Sequence, residues 1–453
     1  MTDWNNLKGP NQLIEKITRL VLKKMLVLKK MTAKLVLKRR FAQRALAFAL
    51  SDSAYSAFVL RLAEIKGNGY ADKTVLCFVR GLFDKDVEQL QYRLRDYKWL
   101  CVPTSVIARP QMKYIPPRYR RQRLYSNYLD DSAAWSKCTK FAFTFFETVA
   151  QKHNVVACLD ANIDYWQTFA FQKAARVKNL PFLVLSKENP VTTKSIETYR
   201  EFYRDFRFHG TAVACPSASL KKIFGEIGLV DESHLWVTGY PRLDRYRSIE
   251  LTASDKTNIV LLSFLQGYGV KSQAEYISVL KALRTALASC DGPRISNIII
   301  KTKNIPDRAA HERLNFLAQW RQEDPRVIVT HSVDLYDCFS SAQVVIGANS
   351  QALVEALLTS APVVVPQWAI VDDPSHSFFE ASDGSKDIDL YISSTADGFR
   401  KDIEGCLQRG QTEQQATAMR SARLELVNRY VAYDESKSSS SAVAEMIQSY
   451  HGA

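Results

Sequence analysis

The chain has 453 residues, 46% of them hydrophobic and 24% charged, which is the composition of a globular protein with core material for two or three domains. Its net charge of +14 is uneven, because residues 1–66 hold fourteen Lys or Arg against four Asp or Glu. This asymmetry argues against a nucleic-acid-binding core and indicates a terminal segment with an anionic partner.

Three classes of feature are missing from the sequence. The eight cysteines form no C-x-x-C pair and the seven histidines have no metal-ligand spacing, so we predict reduced thiols and no metal site. No run reaches the roughly 18 apolar residues of a membrane-spanning helix, and no signal-peptide cleavage pattern follows the start. We therefore expect a cytoplasmic protein that binds no nucleic acid.

A basic amphipathic helix is predicted over residues 13–50. Ile17 and Val21 fall on one face of a helical wheel, whereas Lys16 and Lys23 fall opposite. Such a helix could lie on the anionic inner face of a bacterial plasma membrane as a peripheral anchor. It could equally pack its apolar stripe on the domain that follows.

Strands and helices alternate from Thr74 to Thr238, in a βα unit repeated about six times. The exception is a Tyr-, Arg- and Pro-rich stretch, 107–128, that we predict to be a long loop. We predict that it contacts an anionic or sugar acceptor through Arg118, Arg120 and Arg121.

Polar residues replace the periodic pattern around 247–258, and the alternation then restarts. We therefore predict an α/β protein with two Rossmann-like doubly wound domains facing a cleft. The predicted parts are a helical extension at 1–66, an N-terminal domain at 67–247, a C-terminal domain at 256–410 and trailing helices at 411–453.

The familiar motifs G-x-G-x-x-G, Walker A and G-x-S-x-G are absent, so dehydrogenase, P-loop ATPase and serine hydrolase functions lack their usual support. Polar residues gather instead at predicted strand ends.

In the first such cluster, Lys187 and Glu188 could hold a phosphate and exchange a proton, or could form an ordinary exposed ion pair. In the second, Gly239 and Pro241 shape a hinge that presents Arg242 and Asp244, which could also pair with each other in a structural turn.

The third cluster comprises Ser263, Gln266 and Gly267 after one strand, with Lys301 and Lys303 after the next. Glycines let a backbone approach a diphosphate and lysines offset its charge, although lysines at such ends are often only solvated.

The fourth cluster lies in a βαβ unit over residues 343–366. Asn349, Ser350 and Gln351 stand at the start of its helix, where a phosphate binds well, and Glu355 follows one turn later. The carboxylate would suit a ribose diol; alternatively, Ser350 only caps the helix.

Three of these stretches resemble the GT-B class of glycosyltransferases, and within it bacterial surface-polysaccharide enzymes of the Kdo-transferase-like or glycerophosphotransferase-like kind. They are VVIGANSQALVEALLTSAPVVVP from Val344, VTGYPRLD from Val237 and LSKENP from Leu185. The resemblance covers roughly 74–409. It implies transfer of a sugar from a CMP- or UDP-linked donor to a lipid-linked or surface polysaccharide acceptor, without metal or cofactor.

The same resemblance implies residue roles. Glu188 is the first candidate for a catalytic carboxylate and Asp244 the second, with Lys187 and Arg242 on phosphate or acceptor. The donor would be held by Ser350 and neighbouring amides on phosphate, by Lys301 on its charge and by Glu355 on the ribose.

The chain also departs from these families. It lacks the Asp-Tyr-Ser-Ser segment of teichoic-acid polymerases, Val363 stands where retaining enzymes carry a second glutamate, and Lys301 to Lys303 replace a His-Pro. A CMP-Kdo-dependent transferase with a carboxylate nucleophile, a sugar-nucleotide epimerase or hydrolase, and a noncatalytic membrane-associated scaffold are therefore alternatives.

Overall fold

The computed structural model describes residues 46–81, 83–120, 133–190, 192–249, 256–263, 272–289, 295–302, 311–348, 350–370, 377–408 and 413–451. Most of the predicted basic helix at 13–50 lies outside these ranges. So do the predicted site residues Gln266, Gly267, Lys303, Asn349 and Arg121, and the side chain of Arg118.

The N-terminal domain is built on a seven-stranded sheet in the order β1-β3-β2-β4-β5-β6-β7, in which only β1 runs antiparallel, against β3. The strands are β1 Glu64–Gly67, β2 Lys73–Val79, β3 Tyr97–Pro103, β4 Asn154–Asp160, β5 Phe182–Leu185, β6 Ala212–Cys215 and β7 Leu235–Val237. The helices are α1 Asp52–Leu62, α2 Phe83–Arg93, α3 Thr104–Gln111, α4 Ala133–Ala150, α5 Phe169–Val177, α6 Thr193–Tyr203 and α7 Ala218–Glu226.

Both faces of this sheet are covered, which explains why its strands read as continuous apolar runs. On one face, Phe78 of β2 packs against an aromatic layer that includes Phe171, with the ring centroids 5.1 Å apart. On the other, Val75 and Cys77 join a separate core with Val87 of α2. Side chains that alternate along one strand therefore serve two different cores.

The C-terminal domain has six parallel strands in the order β10-β9-β8-β11-β12-β13. They are β8 Asn258–Leu262, β9 Asn297–Lys301, β10 Val327–Thr330, β11 Ala342–Ile346, β12 Val363–Pro366 and β13 Leu390–Ser393. The helices are α8 Gln273–Ser289, α9 His311–Glu323, α10 Leu335–Ser340, α11 Ala352–Leu357, α12 Ala396–Gln408, α13 Glu413–Tyr430 and α14 Ser439–Ser449. The predicted architecture of two parallel-sheet Rossmann-like domains is thus confirmed.

The last two helices are divided between the domains. Leu426 and Val427 of α13 are buried in the core of the C-terminal domain. Val443 and Met446 of α14 instead complete the core of the N-terminal domain that lies under α2. The two helices described within the predicted trailing segment at 411–453 are therefore integral parts of the C-terminal and the N-terminal domain, respectively.

The connection between α13 and α14 passes close to the interdomain segment. The amide of Ala432 donates to the carbonyl of Pro216, at 2.8 Å. Gly239 has a φ of 70°, and a Cβ built on it would collide with the carbonyl oxygen of Ala432. A glycine is required here for both reasons.

The N-terminal domain begins earlier than the predicted boundary at residue 67. Tyr55 and Val59 of α1 are buried in its core, and β1 forms the edge of its sheet. A four-residue edge strand carries almost no periodic signal, so its place in the sheet depends on pairing with β3. Helix α3 likewise replaces the first part of the predicted loop at 107–128, because buried Ile107 and Ala108 anchor it despite a proline in its last turn.

Candidate functional site

Each sheet has one point where the strand order changes direction. In the N-terminal domain it lies between β2 and β4, and in the C-terminal domain between β8 and β11. Loops leaving the carboxyl ends of two such strands diverge to opposite faces and open a crevice, where ligands of α/β proteins bind. The two crevices are therefore the candidate ligand sites.

Charged side chains surround one tyrosine ring at the N-terminal crevice. Lys187 and Glu188 follow β5, with Nζ and Oε1 3.3 Å apart, and the lysine also lies 5.5 Å from the centroid of Tyr165. Arg80, which follows β2, lies 4.5 Å over the same ring. Burial works against the charge of Lys187, but Glu188 and Tyr165 outweigh it and raise its pKa. Lys187 is therefore a cation, and its partner Glu188 is partly open to solvent.

A second carboxyl group lies at the same edge. Asp160 ends β4, is fully buried and accepts a hydrogen bond from the amide of Ala161 at 2.7 Å. Burial raises its pKa to about 7, against opposing effects of Thr168, the Ala161 amide and Arg80. A carboxyl group whose pKa lies near 7 can both give and take a proton at a crevice. The sequence analysis did not identify Asp160, Tyr165 or Arg80 as site residues. An aspartate that ends a strand gives no local sign of its burial, and the contacts of Tyr165 with Arg80 and Lys187 join residues distant in the chain.

At the C-terminal crevice, Ser263 follows β8 and donates its amide hydrogen to the carbonyl of Lys301, at 2.9 Å. Burial lowers the pKa of Lys301, whose Nζ donates to the carbonyl of His331, also at 2.9 Å. Ser350 follows β11, and its Oγ accepts from the amide of Ala352 at 3.3 Å. This is a local turn contact, because the residue that precedes α11 as its N-cap is Gln351, which makes no side-chain capping bond. The phosphate contact of Ser350 stays a prediction.

The two crevices are joined by hydrogen bonds between domains. Nε2 of Gln351 donates to the carbonyl of Asn189, at 3.0 Å. The hydroxyl of Tyr240 lies 3.0 Å from the carbonyl oxygen of Lys187 and 3.2 Å from Oε1 of Gln351. The Lys187–Glu188 pair and the Ser350 turn, predicted separately, are therefore close neighbours.

Arg242 occupies a buried position between the domains. Its Nη1 lies 3.3 Å from Asp86 of α2, and its Nε lies 3.2 Å from Glu355 of α11. The hydroxyl of Tyr246 is 3.4 Å from the other oxygen of Glu355, and the guanidinium stacks 3.9 Å over the ring of Tyr240. Burial raises the pKa of both carboxyl groups, and Arg242 offsets part of that rise. Protein side chains thus already contact both Arg242 and Glu355. The ribose contact predicted for Glu355 and the phosphate contact predicted for Arg242 stay predictions.

Asp244 has a structural partner as well. Its two carboxylate oxygens accept the amide hydrogens of Ser439 and Ser440, each at 2.8 Å. These amides open α14, so Asp244 caps the helix that returns to the N-terminal domain. Its catalytic role stays a prediction.

Arg120 of the arginine-rich stretch, which was predicted to contact a ligand, forms hydrogen bonds within its own segment. Arg120 donates from Nε to the carbonyl of Ile115, at 2.7 Å, and from Nη2 to that of Met112, at 2.5 Å. The guanidinium therefore folds the segment onto itself. Contact with an acceptor stays a prediction for this stretch.

Within the described ranges no group of three or more His, Cys, Asp or Glu side chains is arranged to hold a metal ion. None of their helices combines the length and apolar character that crossing a bilayer requires.

Comparison with known proteins supports the fold. No protein-family model and no curated protein matches the chain. Among solved structures, a putative UDP-N-acetylglucosamine 2-epimerase from Listeria monocytogenes is similar, with a TM-score of 0.53 and 13% identity over 84% of this chain and 97% of that chain. The S. aureus MnaA–UDP co-structure matches with a TM-score of 0.50 and 15% identity, over 84% and 96%. A variant of the wall teichoic acid polymerase TagF matches with a TM-score of 0.48 and 11% identity, over 98% of each chain. At these identities the similarity to the first two shows that the chain shares their two-domain, GT-B-type fold.

Removing the buried cation should destabilise the protein strongly. We expect Arg242→Met to lower the free energy of unfolding by about 3–5 kcal/mol, because Asp86 and Glu355 would remain buried without a countercharge. Denaturant unfolding measures this. The matched control is Arg326→Met, which breaks an exposed pair with Asp324 and should cost less than about 1 kcal/mol. Equal losses in the two variants would contradict the structural role of Arg242.

The raised pKa of Asp160 predicts a pH-dependent stability. The folded-state pKa is about 7 and lies above the ordinary aspartate pKa of about 3.9, so the folded state is favoured at low pH and loses stability as pH rises between these values. Asp160→Asn should remove this dependence and become the more stable protein at about pH 8, by up to about 4 kcal/mol. Unfolding at about pH 5 and about pH 8 tests this, with exposed Asp231→Asn as control. Parallel pH profiles of wild type and Asp160→Asn would refute it.

Proposed function

We propose that the protein is a glycosyltransferase that moves a sugar from a nucleotide-activated donor to a lipid-linked or surface-glycan acceptor. One observation carries the proposal. The crevice of each sheet opens at the same interdomain line, where Tyr240 and Gln351 tie the Lys187–Glu188 pair to the Ser350 turn. A donor on one domain would thereby meet an acceptor on the other.

In this proposal the C-terminal crevice holds the donor diphosphate. Ser263 and Ser350 follow adjacent parallel strands, and Lys301 ends the strand on the far side of β8. Exposed backbone amides and a nearby ammonium group can neutralise a diphosphate without a divalent cation.

Glu188 is the proposed general base. It takes the proton from an acceptor hydroxyl while that oxygen forms a bond to the anomeric carbon, and the nucleotide departs with the electrons of the bond that breaks. Its partner Lys187 orients the carboxylate through the 3.3 Å contact. Arg242, Glu355 and Asp244 serve the domain arrangement in this proposal and not the chemistry.

A sugar-nucleotide epimerase is the second candidate. It is favoured by the similarity to the Listeria protein, whose description is a putative UDP-N-acetylglucosamine 2-epimerase. Two carboxyl groups at one sheet edge, Asp160 and Glu188, would suit the proton transfers of such a reaction.

Substitution of Glu188 tests the chemical assignment. With a panel of CMP-, UDP- and GDP-linked sugars, we expect Glu188→Gln to lower transfer by about 10²–10⁴-fold, the usual contribution of a general base. Ser350→Ala should weaken donor binding in the same assay, and Glu147→Gln on the exposed side of α4 is the control. Full activity in both site variants would sink the assignment.

Incubation with donor alone separates the two candidate functions. Release of free nucleotide that depends on acceptor supports transfer, whereas an epimerised donor without acceptor supports the second candidate. Preference for CMP-linked sugars would favour the Kdo-transferase-like alternative.

The basic segment at 13–50 is proposed to hold the protein on anionic membrane. Leu46 and Ala47 are buried, so a deletion should stop at residue 44 to leave the core intact. We expect that the protein lacking 1–44 no longer sediments with anionic liposomes and that its thermal unfolding is unchanged. Liposome binding that survives the deletion would assign membrane contact to another part of the chain.

A further inference from the structure

A cavity of about 580 Å³ opens beside the N-terminal crevice, and no step of the proposed chemistry uses it. It lies where β1, β2 and β3 present their ends, and its size is within the range of small-molecule sites, about 300–1,000 Å³. We call it the β1 cavity. Its lining includes the charged residues Glu64, Lys66, Arg80 and Asp84, together with Thr104, Ser105 and Gln167.

The lining of the β1 cavity is balanced in charge. Glu64 and Asp84 oppose Lys66 and Arg80, and the Lys66 ammonium lies 3.9 Å from Glu64. Asp84 has no salt-bridge partner among the residues that the structure describes, and burial is the main cause that raises its pKa. A phosphate placed here would meet two carboxylates as well as two cations, so the lining gives an anion no net electrostatic attraction.

The same lining suits hydroxyl groups. A hydroxyl both donates and accepts, so it can donate to Asp84 and accept from Lys66 or Arg80. Ser105 offers a hydroxyl and Gln167 an amide, whose Oε1 finds no hydrogen-bond partner among the described residues. Several such groups within one cavity match a ligand that carries several hydroxyls.

The β1 cavity also adjoins the proposed reaction centre. Arg80 lines the cavity and lies over the ring of Tyr165, and Lys187 lies over that same ring beside Glu188. Arg80 and the ring of Tyr165 therefore connect the cavity to the Lys187–Glu188 pair.

We propose that the β1 cavity is the acceptor subsite and that it binds an uncharged, polyhydroxylated group, a sugar residue of the acceptor, in preference to a phosphate. This proposal rests on the proposed function for its biological meaning. Binding in the cavity can nevertheless be measured without turnover.

The experiment is ligand-observed NMR on the full-length protein with a panel of methyl glycosides, and with inorganic phosphate as the charged probe. We expect at least one glycoside to bind. Ser105→Trp, which fills the opening at an exposed position, and Asp84→Asn should each weaken that binding by at least about fivefold. Glu147→Gln on α4 is the distant control.

Three results would overturn the proposal. The first is glycoside binding that is unchanged in Ser105→Trp and Asp84→Asn. The second is no glycoside binding at all. The third is phosphate binding that Lys66→Gln abolishes, which would make the cavity an anion site. Thermal shifts with UDP and CMP should be the same in all cavity variants and wild type. If the wild type turns over no nucleotide sugar, the proposed function is refuted, whereas the glycoside-binding result still stands.

Discussion

The arrangement of the two domains depends on one buried cation. Arg242 lies in the segment that joins them, and its partners Asp86 and Glu355 come one from each domain. Each of these charges would be costly to bury alone, so the group is stable only when all three meet. These contacts hold α2 of one domain against α11 of the other.

The rest of the VTGYPRLD stretch supports the same arrangement. Gly239 admits the carbonyl of Ala432, Tyr240 touches both crevices and Asp244 caps α14. Nearly every distinctive residue of the stretch therefore has a structural partner. A motif at a hinge can reflect the geometry of the hinge, and this explains why Glu188 is a better candidate base than Asp244.

The polar residues at the two sheet edges differ in their chemistry. The C-terminal crevice offers amides, hydroxyls and Lys301, which suit a diphosphate. The N-terminal edge mixes carboxylates with cations around Tyr165 and in the β1 cavity, which suits hydroxyl groups and proton transfer. This division matches a charged donor on one domain and a neutral acceptor on the other.

Sequence alone determined the alternating elements, because helix and strand periodicity is local. The βαβ unit predicted over 343–366 agrees with β11, α11 and β12, and the strand ends identified the Lys187–Glu188 and Ser350 clusters. Tertiary structure decided the partners. Arg242 meets Glu355 across 113 positions of chain, β1 gains its place only by pairing with β3, and the pKa of Asp160 follows from burial. Pairing and burial depend on residues distant in sequence, and no local pattern encodes them.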